Sequence, residues 1–300
     1  METTILSRVR GAMYGQIIGD NLGALVEFSS PEEISAWYPD GVRELTGGGP
    51  FNVVPGQPTD DSELALALAR SMVRCGGYDQ DDVRESYRRW AASDPFDIGF
   101  TCAAALTPPF TLDASKKSNG ALMRVSPVAM AYYRDPAQAA ELARTDAALT
   151  HPNDYTVAVN GLYTEALARV IGGVAPRESL LEAAGALSGE VEEFFTAPPV
   201  DVASRQIGFV RHALHLTCYY AVHGTDFEED LVAIVGMGGD TDTNAAIAGA
   251  FLGAVYGEGG IPQRWRAVID GYSTDDGGRP EEYSAEGALD LADQLASLGE

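Results

Sequence analysis

Basic residues are scarce in this chain of 300 residues. It has 20 Lys and Arg against 44 Asp and Glu, Lys116 and Lys117 are its only lysines, and its formal net charge is −24. Clustered basic side chains are what a nucleic-acid-binding surface uses to neutralise phosphates, and a charged membrane-binding patch needs them as well. The composition therefore argues against both of these partners.

Long apolar runs and cysteines are scarce too. No stretch of about 18 apolar residues occurs, so we expect no membrane-spanning helix. The first residues lack the apolar core and cleavage-like site of a signal peptide. Cys75, Cys102 and Cys218 are few, odd in number and widely spaced, which favours reduced thiols over a disulfide framework. We therefore expect a cytoplasmic protein.

Helical periodicity is what the sequence does contain. In Asp60–Arg74, leucines and a methionine recur every four residues, as on one face of a helix. Similar patterns predict helices over Ala137–Leu149, Thr156–Ile171, Arg177–Leu187, Arg205–Val222, Asn244–Tyr256 and Ala285–Leu298. The best strand candidates are short, Val42–Leu45 and Phe51–Val54, and no repeat or linker divides the chain. The pattern predicts one all-α domain over residues 1–300, with long functional loops.

Two predicted helices carry glycines at every fourth position. The first set is Gly11, Gly15, Gly19 and Gly23, and the second is Gly249, Gly253 and Gly257. An interior glycine costs a helix about 1 kcal/mol relative to alanine, so such a ridge suggests two backbones in close approach. Chance spacing in a glycine-rich chain is the alternative. If the ridges pack antiparallel, Glu27 lies beside Asp240 and Asp242.

Carboxylates are concentrated in three segments where the chain turns. These are Glu27, the run Thr59-Asp60-Asp61, and the run Asp240-Thr241-Asp242-Thr243 after two glycines. Either of the last two segments alone is explained by helix capping, but together they carry more negative charge than capping requires. If they converge, a divalent cation would relieve their repulsion. Carboxylate and hydroxyl oxygens favour Mg²⁺ or Mn²⁺, and more than four carboxylates suggest two ions sharing a bridging ligand.

Other catalytic or metal motifs are weaker. His212, His215 and Cys218 recur every three residues, which invites a zinc site, but this spacing walks around a helix and no fourth ligand lies nearby. We therefore expect a structural role for them. The sequence has no Gly-x-Ser-x-Gly elbow and no phosphate-binding lysine loop, which argues against serine hydrolases and P-loop enzymes.

The acidic segments belong to an ordered series of motifs that resembles the ADP-ribosylglycohydrolase family. The series is Gly11–Phe28, Thr59–Ser62, Ser118–Arg124, Thr150-His151 and Gly238–Gly249, within roughly Gly11–Gly257. The resemblance implies an all-α hydrolase with a dinuclear Mg²⁺ or Mn²⁺ centre. It would cleave the glycosidic bond between ADP-ribose and an acceptor, by default a protein arginine. The partner would be an ADP-ribosylated protein or a small ADP-ribosyl compound.

The resemblance also implies roles for single residues. One ion would be held by Thr59, Asp60 and Asp61, the other by Asp240 and Thr243, with Asp242 as the bridging and catalytic ligand. Glu27 would be catalytic, at the centre of the site and near the scissile bond. The phosphates and ribose would lie in a backbone-rich loop formed by Ser118, Asn119, Gly120, Ala121 and Leu122. His151 would lie near ADP-ribose, although a lone His before Pro152 is as often structural.

One segment departs from the family pattern. Over Asp97–Leu106, positions that are Asn, Thr and Arg in the family are Phe100, Cys102 and Ala103 here. Asp97 is retained, and we treat it as a further catalytic candidate, for substrate positioning or acid–base help. The departure leaves the leaving-group preference open.

Two other functions stay open at this stage. Metal-dependent hydrolysis of a phosphoester or pyrophosphate uses similar oxygen-rich dinuclear sites. A non-catalytic binder of ADP-ribose is the other, since fold alone does not establish activity. The acceptor linkage, the choice between Mg²⁺ and Mn²⁺, and the oligomeric state are not determined by the sequence.

Overall fold

Helices make up the fold. The computed structural model describes residues 4–203 and 206–299, and no β-strand occurs among them. The α-helices are α1 (Ile5–Gly23), α2 (Pro31–Trp37), α3 (Asp60–Cys75), α4 (Gln80–Ala91), α5 (Phe100–Leu106), α6 (Ser126–Ala131), α7 (Pro136–Ala148), α8 (Asp154–Ile171), α9 (Pro176–Ala183), α10 (Ser188–Phe194), α11 (Val210–His223), α12 (Phe227–Val235), α13 (Thr241–Tyr256), α14 (Gln263–Gly271), α15 (Thr274–Gly277) and α16 (Ala288–Leu298). Short 3-10 helices span Leu122–Arg124, Gly185–Leu187, Glu258–Gly260 and Glu281–Tyr283. The predicted all-α fold is confirmed.

The two glycine ridges meet face to face. A Cβ atom added at Gly15 would lie 2.0 Å from the Gly249 carbonyl oxygen, and one at Gly11 would lie 2.1 Å from that of Gly253. Only residues without side chains permit this approach, because any Cβ would overlap the opposite backbone. The predicted antiparallel packing of α1 against α13 is confirmed.

This packing determines where the two helix ends meet. A Cβ atom at Gly23, the last residue of α1, would lie 2.3 Å from the Asp242 backbone nitrogen in the first turn of α13. The Thr241 hydroxyl donates a hydrogen bond to the Gly23 carbonyl at 2.7 Å and fixes the contact. The C-terminal end of α1 therefore faces the N-terminal end of α13.

Several predicted element boundaries are wrong. Arg177–Leu187 is interrupted, because α9 ends at Ala183 and a 3-10 helix follows it. The helix predicted over Arg205–Val222 begins at Val210, and Arg205 lies outside the described residues. The helix predicted from Ala285 begins at Ala288, after Gly287 with φ +72°.

The two strand candidates form no strand. Val53 takes part in an isolated bridge with Gly48, and the rest of this region is turns and loops. Three further features agree with the sequence analysis. His215 donates a hydrogen bond from Nε2 to the Ala197 carbonyl oxygen at 2.8 Å and stacks on Phe194, which is a structural role. Cys218 is fully buried, and no described helix is both long and apolar enough to cross a membrane.

Candidate active site and metal centre

Carboxylates converge in a cavity where α1, α3 and α13 meet. The cavity has a volume of about 450 Å³, and its acidic lining residues are Glu27, Asp60, Asp97, Asp240 and Asp242. They come from four distant parts of the sequence, and the facing ends of α1 and α13 bring Glu27 close to Asp242. The predicted meeting of the three acidic segments is therefore confirmed.

Glu27, Asp97 and Asp242 form the tightest part of this cluster. Each offers a carboxylate oxygen, and these oxygens all lie within 4.8 Å of one another. Among the described residues, this is the one such group of three or more metal-ligating side chains. Asp97 lies in the loop before α5. Its closeness to Glu27 and Asp242 was not predicted from the sequence.

Four of the carboxyl groups that line this cavity, those of Glu27, Asp60, Asp97 and Asp242, have raised pKa values. Burial, followed by the negative charges of Asp97 and Asp240, raises the pKa of Glu27 to about 9. Burial raises the pKa of Asp97 to about 6. The pKa is also raised, with burial as the first cause, for Asp60, Asp61 and Asp242. Unneutralised carboxylates of this kind favour a proton or a divalent cation between them.

Two threonines predicted as metal ligands lie against Asp61. The Thr59 hydroxyl is 3.2 Å and the Thr243 hydroxyl 3.3 Å from the same Asp61 oxygen. The other Asp61 oxygen and Glu27 Oε2 are buried without a hydrogen-bond partner. Buried polar atoms are normally satisfied, so these two orphaned oxygens have the chemistry expected of cation ligands.

Asp20 is a site residue that the sequence analysis missed. It is fully buried on α1 and accepts the Thr59 backbone N–H at 3.1 Å, the Thr59 hydroxyl at 2.9 Å and the Ser62 N–H at 3.1 Å. Burial raises its pKa to about 6. Its position directly after Gly19, in a motif that also holds Glu27, was the available signal.

The loop after Lys117 forms the opposite wall of the cavity. Asn119 donates from its side chain to Asp240 at 2.7 Å, and its backbone N–H donates to the Gly208 carbonyl at 3.0 Å. Ser118, Asn119 and Gly120 line the cavity, whereas Ala121 and Leu122 are buried behind the wall. Contacts from Ala121 and Leu122 to a ligand stay a prediction.

His151 is connected to this loop through hydroxyl groups. Its Nδ1 lies 2.7 Å from the Thr150 hydroxyl and its Nε2 lies 3.0 Å from the Ser118 hydroxyl, which donates to Thr101 at 3.0 Å. Burial, together with the positive charge of Arg124, lowers the pKa of His151 to about 3. A neutral imidazole therefore holds the Ser118 hydroxyl in place across a wide pH range.

Comparison with known proteins identifies the family. The family model for ADP-ribosylglycohydrolases matches residues 1–299. The chain belongs to the ADP-ribosylglycohydrolase family. It is 34% identical over 278 residues to the ADP-ribosyl-[dinitrogen reductase] glycohydrolase of Rhodospirillum rubrum, covering 89% of this chain and 92% of that protein. It is 27% identical to the ADP-ribosylarginine hydrolase Tri1 of Pseudomonas putida, and this match covers 87% of this chain and 73% of that protein.

The fold comparison agrees with the family assignment. A solved structure titled ADP-ribosylglycohydrolase-related protein complex superposes with a TM-score of 0.79 at 30% identity, and the match covers 99% of both chains. The resemblance inferred from the motifs is confirmed, and the protein is a hydrolase of the ADP-ribosyl glycohydrolase type.

A second cavity opens from the acidic one in this ADP-ribosylglycohydrolase. It has a volume of about 960 Å³ and is lined by Lys116 and Lys117, the only lysines of the chain. Phe100 and Ser118 line both cavities, so the two share a wall. The combined cleft is acidic at one end and carries basic side chains at the other.

The segment that departs from the family pattern lies at the junction of these two cavities. Phe100 is 97% exposed there, and Cys102 is buried with its sulfur 3.8 Å from the Gly120 carbonyl oxygen. A Cβ atom at Gly120 would lie 3.0 Å from the same sulfur. Cys102 therefore packs under the Ser118–Gly120 wall, and Phe100 faces solvent at the mouth.

Proposed function

We propose that this protein hydrolyses the glycosidic bond between ADP-ribose and an arginine side chain of a protein, using two divalent cations. The observation that carries the proposal is the convergence of Glu27, Asp97 and Asp242 in one cavity. The relatives support the arginine linkage, because one is named for ADP-ribosylarginine and another for an ADP-ribosylated dinitrogen reductase.

The residues present fit a dinuclear Mg²⁺ or Mn²⁺ centre. Thr59, Asp60 and Asp61 would hold one ion and Asp240 and Thr243 the other, with Asp242 shared between them. The orphaned oxygen of Asp61 supports this assignment. When bound, such cations would orient the ribose hydroxyls and the attacking water and would stabilise negative charge on these oxygens.

The chain's own carboxylates suit the chemistry of this bond. Cleavage breaks the bond between the anomeric carbon and the guanidine nitrogen, water supplies a hydroxyl to the carbon, and a proton goes to the nitrogen. The transition state has oxocarbenium character, which nearby carboxylates stabilise. Glu27 and Asp97 lie close together, so one can accept a proton from the attacking water while the other helps to position that water.

The other end of the cleft suits the diphosphate and adenosine. The diphosphate carries negative charge, and Lys116 and Lys117 are the basic side chains that line the second cavity. The Ser118–Gly120 wall lies between the carboxylates and these lysines. We therefore place the reacting ribose in the acidic cavity and the rest of ADP-ribose along this wall.

The experiment is a substrate comparison. Peptides with ADP-ribose linked to arginine or to serine, and a small ADP-ribosyl nucleotide, are incubated with the protein and Mg²⁺, Mn²⁺ or a chelator. We expect metal-dependent release of free ADP-ribose, fastest from arginine, and a loss of about 100-fold or more in kcat for Asp242→Asn. The matched control Asp226→Asn, at the start of α12, should retain activity.

Each alternative gives a different product. Cleavage within the pyrophosphate would give AMP instead of intact ADP-ribose and would establish the phosphoester alternative. Turnover in the presence of chelator, or full activity of Asp242→Asn, would overturn the metal-site assignment.

A further inference from the structure

Three phenylalanines form a partly exposed cluster at the acidic end of the cleft, which we call the aromatic rim. The rings of Phe28 and Phe51 are 6.4 Å apart between centroids, and those of Phe51 and Phe96 are 5.8 Å apart. Phe28 is 60% exposed and Phe96 36% exposed. Phe51 is partly buried between these two exposed rings, and an exposed aromatic patch of this kind is typical of a binding surface.

The aromatic rim is joined directly to the reacting carboxylates. Phe28 follows Glu27 in the chain, and Phe96 precedes Asp97. The carboxylates of Glu27 and Asp97 meet within 4.8 Å, and the rings beside them both contact Phe51. Phe28 also lines the acidic cavity. The rim is therefore the outer edge of the same site.

The backbone holds Phe28 in a costly conformation. Its φ is +66°, a left-handed value that a bulky residue rarely adopts. The Phe28 N–H donates to the Gly239 carbonyl at 2.8 Å, and the Gly239 N–H donates to the Ser29 carbonyl at 2.9 Å. Strain maintained by surrounding hydrogen bonds is concentrated at functional sites, and here it presents an aromatic ring next to Glu27.

The aromatic rim lies where the acceptor of the proposed reaction would be bound. The lysine-lined cavity takes the diphosphate end under the proposed function, and none of the three rim residues lines that cavity. The acceptor leaves from the anomeric carbon, at the carboxylate end. An acceptor there meets aromatic faces bordered by two carboxylates, on a chain with a net charge of −24. A flat cation matches both features, because a guanidinium stacks on aromatic rings and is attracted to carboxylates.

We propose that the aromatic rim of Phe28, Phe51 and Phe96 binds the arginine side chain of the ADP-ribosylated polypeptide, with the guanidinium or its flanking chain stacked on Phe28. This inference rests on the proposed function and adds to it the residues that select the acceptor. It places the binding site for the leaving group at the outer edge of the acidic cavity, away from the lysine-lined cavity.

The test compares acceptor recognition with ADP-ribose recognition. Phe28→Leu and Phe96→Leu keep an apolar side chain but remove the ring. Cation–aromatic attraction of this kind predicts a KM about 3- to 10-fold higher for an ADP-ribosylarginine peptide. The Ki for ADP-ribose as product should stay unchanged, and Phe28→Tyr should behave like the wild type. Trp37→Leu is the matched control, because Trp37 is 59% exposed at the end of α2 and lines neither cavity.

The outcomes separate this inference from the proposed function. Wild-type turnover of ADP-ribosylarginine with unchanged KM in both Leu variants would overturn the acceptor assignment alone. A parallel rise in the Ki for ADP-ribose would also overturn it, because the rim would then contact ADP-ribose. An equal rise in KM for an ADP-ribosylserine peptide would exclude recognition of the guanidinium. No wild-type cleavage of the arginine substrate would overturn the proposed function.

Discussion

Asp20 accepts three hydrogen bonds from the turn that begins α3, one from the Ser62 backbone, one from the Thr59 backbone and one from the Thr59 hydroxyl. Thr59 makes no capping hydrogen bond with its own side chain. A carboxylate on another helix therefore caps α3, and it also fixes the turn that carries Asp60 and Asp61. Outer residues of this kind orient metal ligands and tune their affinity.

We expect Asp20→Asn to weaken Mn²⁺ binding about 10- to 100-fold, the effect usual for loss of an orienting group behind the ligands. The amide has one acceptor oxygen in place of two, and its NH₂ group would face the N–H donors of Thr59 and Ser62. Calorimetric titration with Mn²⁺ measures the affinity. Asp270→Asn is the control, because Asp270 accepts a hydrogen bond from Tyr14 at the surface. Equal affinities in both variants would contradict the positioning role.

At the scale of elements, the contact between α1 and α13 depends on residues that have no side chain. Gly15 faces Gly249 and Gly11 faces Gly253 across the antiparallel pair. The contact brings Glu27, four residues after the end of α1, close to the first turn of α13, where Asp242 lies. The close packing of α1 against α13 therefore also determines the position of Glu27 relative to Asp242.

We expect Gly15→Ala to lower the free energy of unfolding by about 1–3 kcal/mol, the cost of overpacking a close contact. The new Cβ would lie 2.0 Å from a backbone oxygen, so the two helices must separate. Gly189→Ala in α10 is the matched control, since its Cβ meets nothing within 4 Å. It should stabilise the protein by about 0.5–1 kcal/mol through helix propensity. Urea unfolding measures both, and equal midpoints would show that the ridge tolerates a side chain.

A second inter-element connection reaches the Asp97 loop. Arg279 donates two hydrogen bonds of 2.8 Å to the Glu63 carboxylate on α3 and one of 2.9 Å to the Ser93 carbonyl. Trp90 on α4 donates to the same carboxylate at 2.6 Å. Arg279 and Glu63 are both buried. This cluster connects α3, α4 and the loop that leads to Asp97.

Removing Arg279 leaves the Glu63 carboxylate buried without its cation. We expect Arg279→Met to lower the free energy of unfolding by about 3–5 kcal/mol, as is usual when one partner of a buried pair is lost. Adding Glu63→Gln should recover part of this loss, because no uncompensated charge then remains. Arg84→Met, which breaks an exposed pair with Asp81, should cost about 0–1 kcal/mol. Thermal and urea unfolding check these values, and no recovery in the double variant would contradict the explanation.

Local patterns predicted the helices and the ridge, but not the partners that lie far apart in sequence. Four-residue spacing identified the ridges because close helix contact requires small residues on one face. Arg279 and Glu63 are 216 positions apart, and no local pattern connects them. Asp97 was found through its motif, although its approach to Glu27 and Asp242 depends on how the loop before α5 packs. The two strand candidates were wrong because apolar residues in a loop can be buried without pairing.

At the scale of the whole molecule, the charge of −24 has a buried part and an exposed part. Glu27, Asp60, Asp61 and Asp242 are buried in the site, and burial raises the pKa of each. Others, such as Glu228 and Glu229, lie at the surface and pair with Arg43. Ionised carboxylates in this site destabilise the folded protein. The free energy of unfolding therefore depends on pH and on bound cations.

The pH dependence of stability follows from these pKa values. Burial raises the pKa of Glu27 from its ordinary value of 4.5 to about 9 in the folded protein, and that of Asp97 from 3.8 to about 6. Between pH about 4 and about 9 these two groups bind more protons in the folded protein than in the unfolded chain, so their contribution to the free energy of unfolding falls as pH rises. For the metal-free protein we therefore expect a lower Tm at pH 8 than at pH 6.

Added Mg²⁺ should reverse this trend. Cations need ionised carboxylates, and protons compete with them at low pH, so saturating Mg²⁺ should raise the Tm more at pH 8 than at pH 6. Scanning calorimetry with chelator and with Mg²⁺ measures both effects. The double variant Glu27→Gln, Asp97→Asn removes two of the titrating groups and should weaken the metal-free pH dependence. A metal-free Tm that rises with pH would show that these carboxylates are ionised and stabilised in the folded protein without a cation, which the geometry of the cavity argues against.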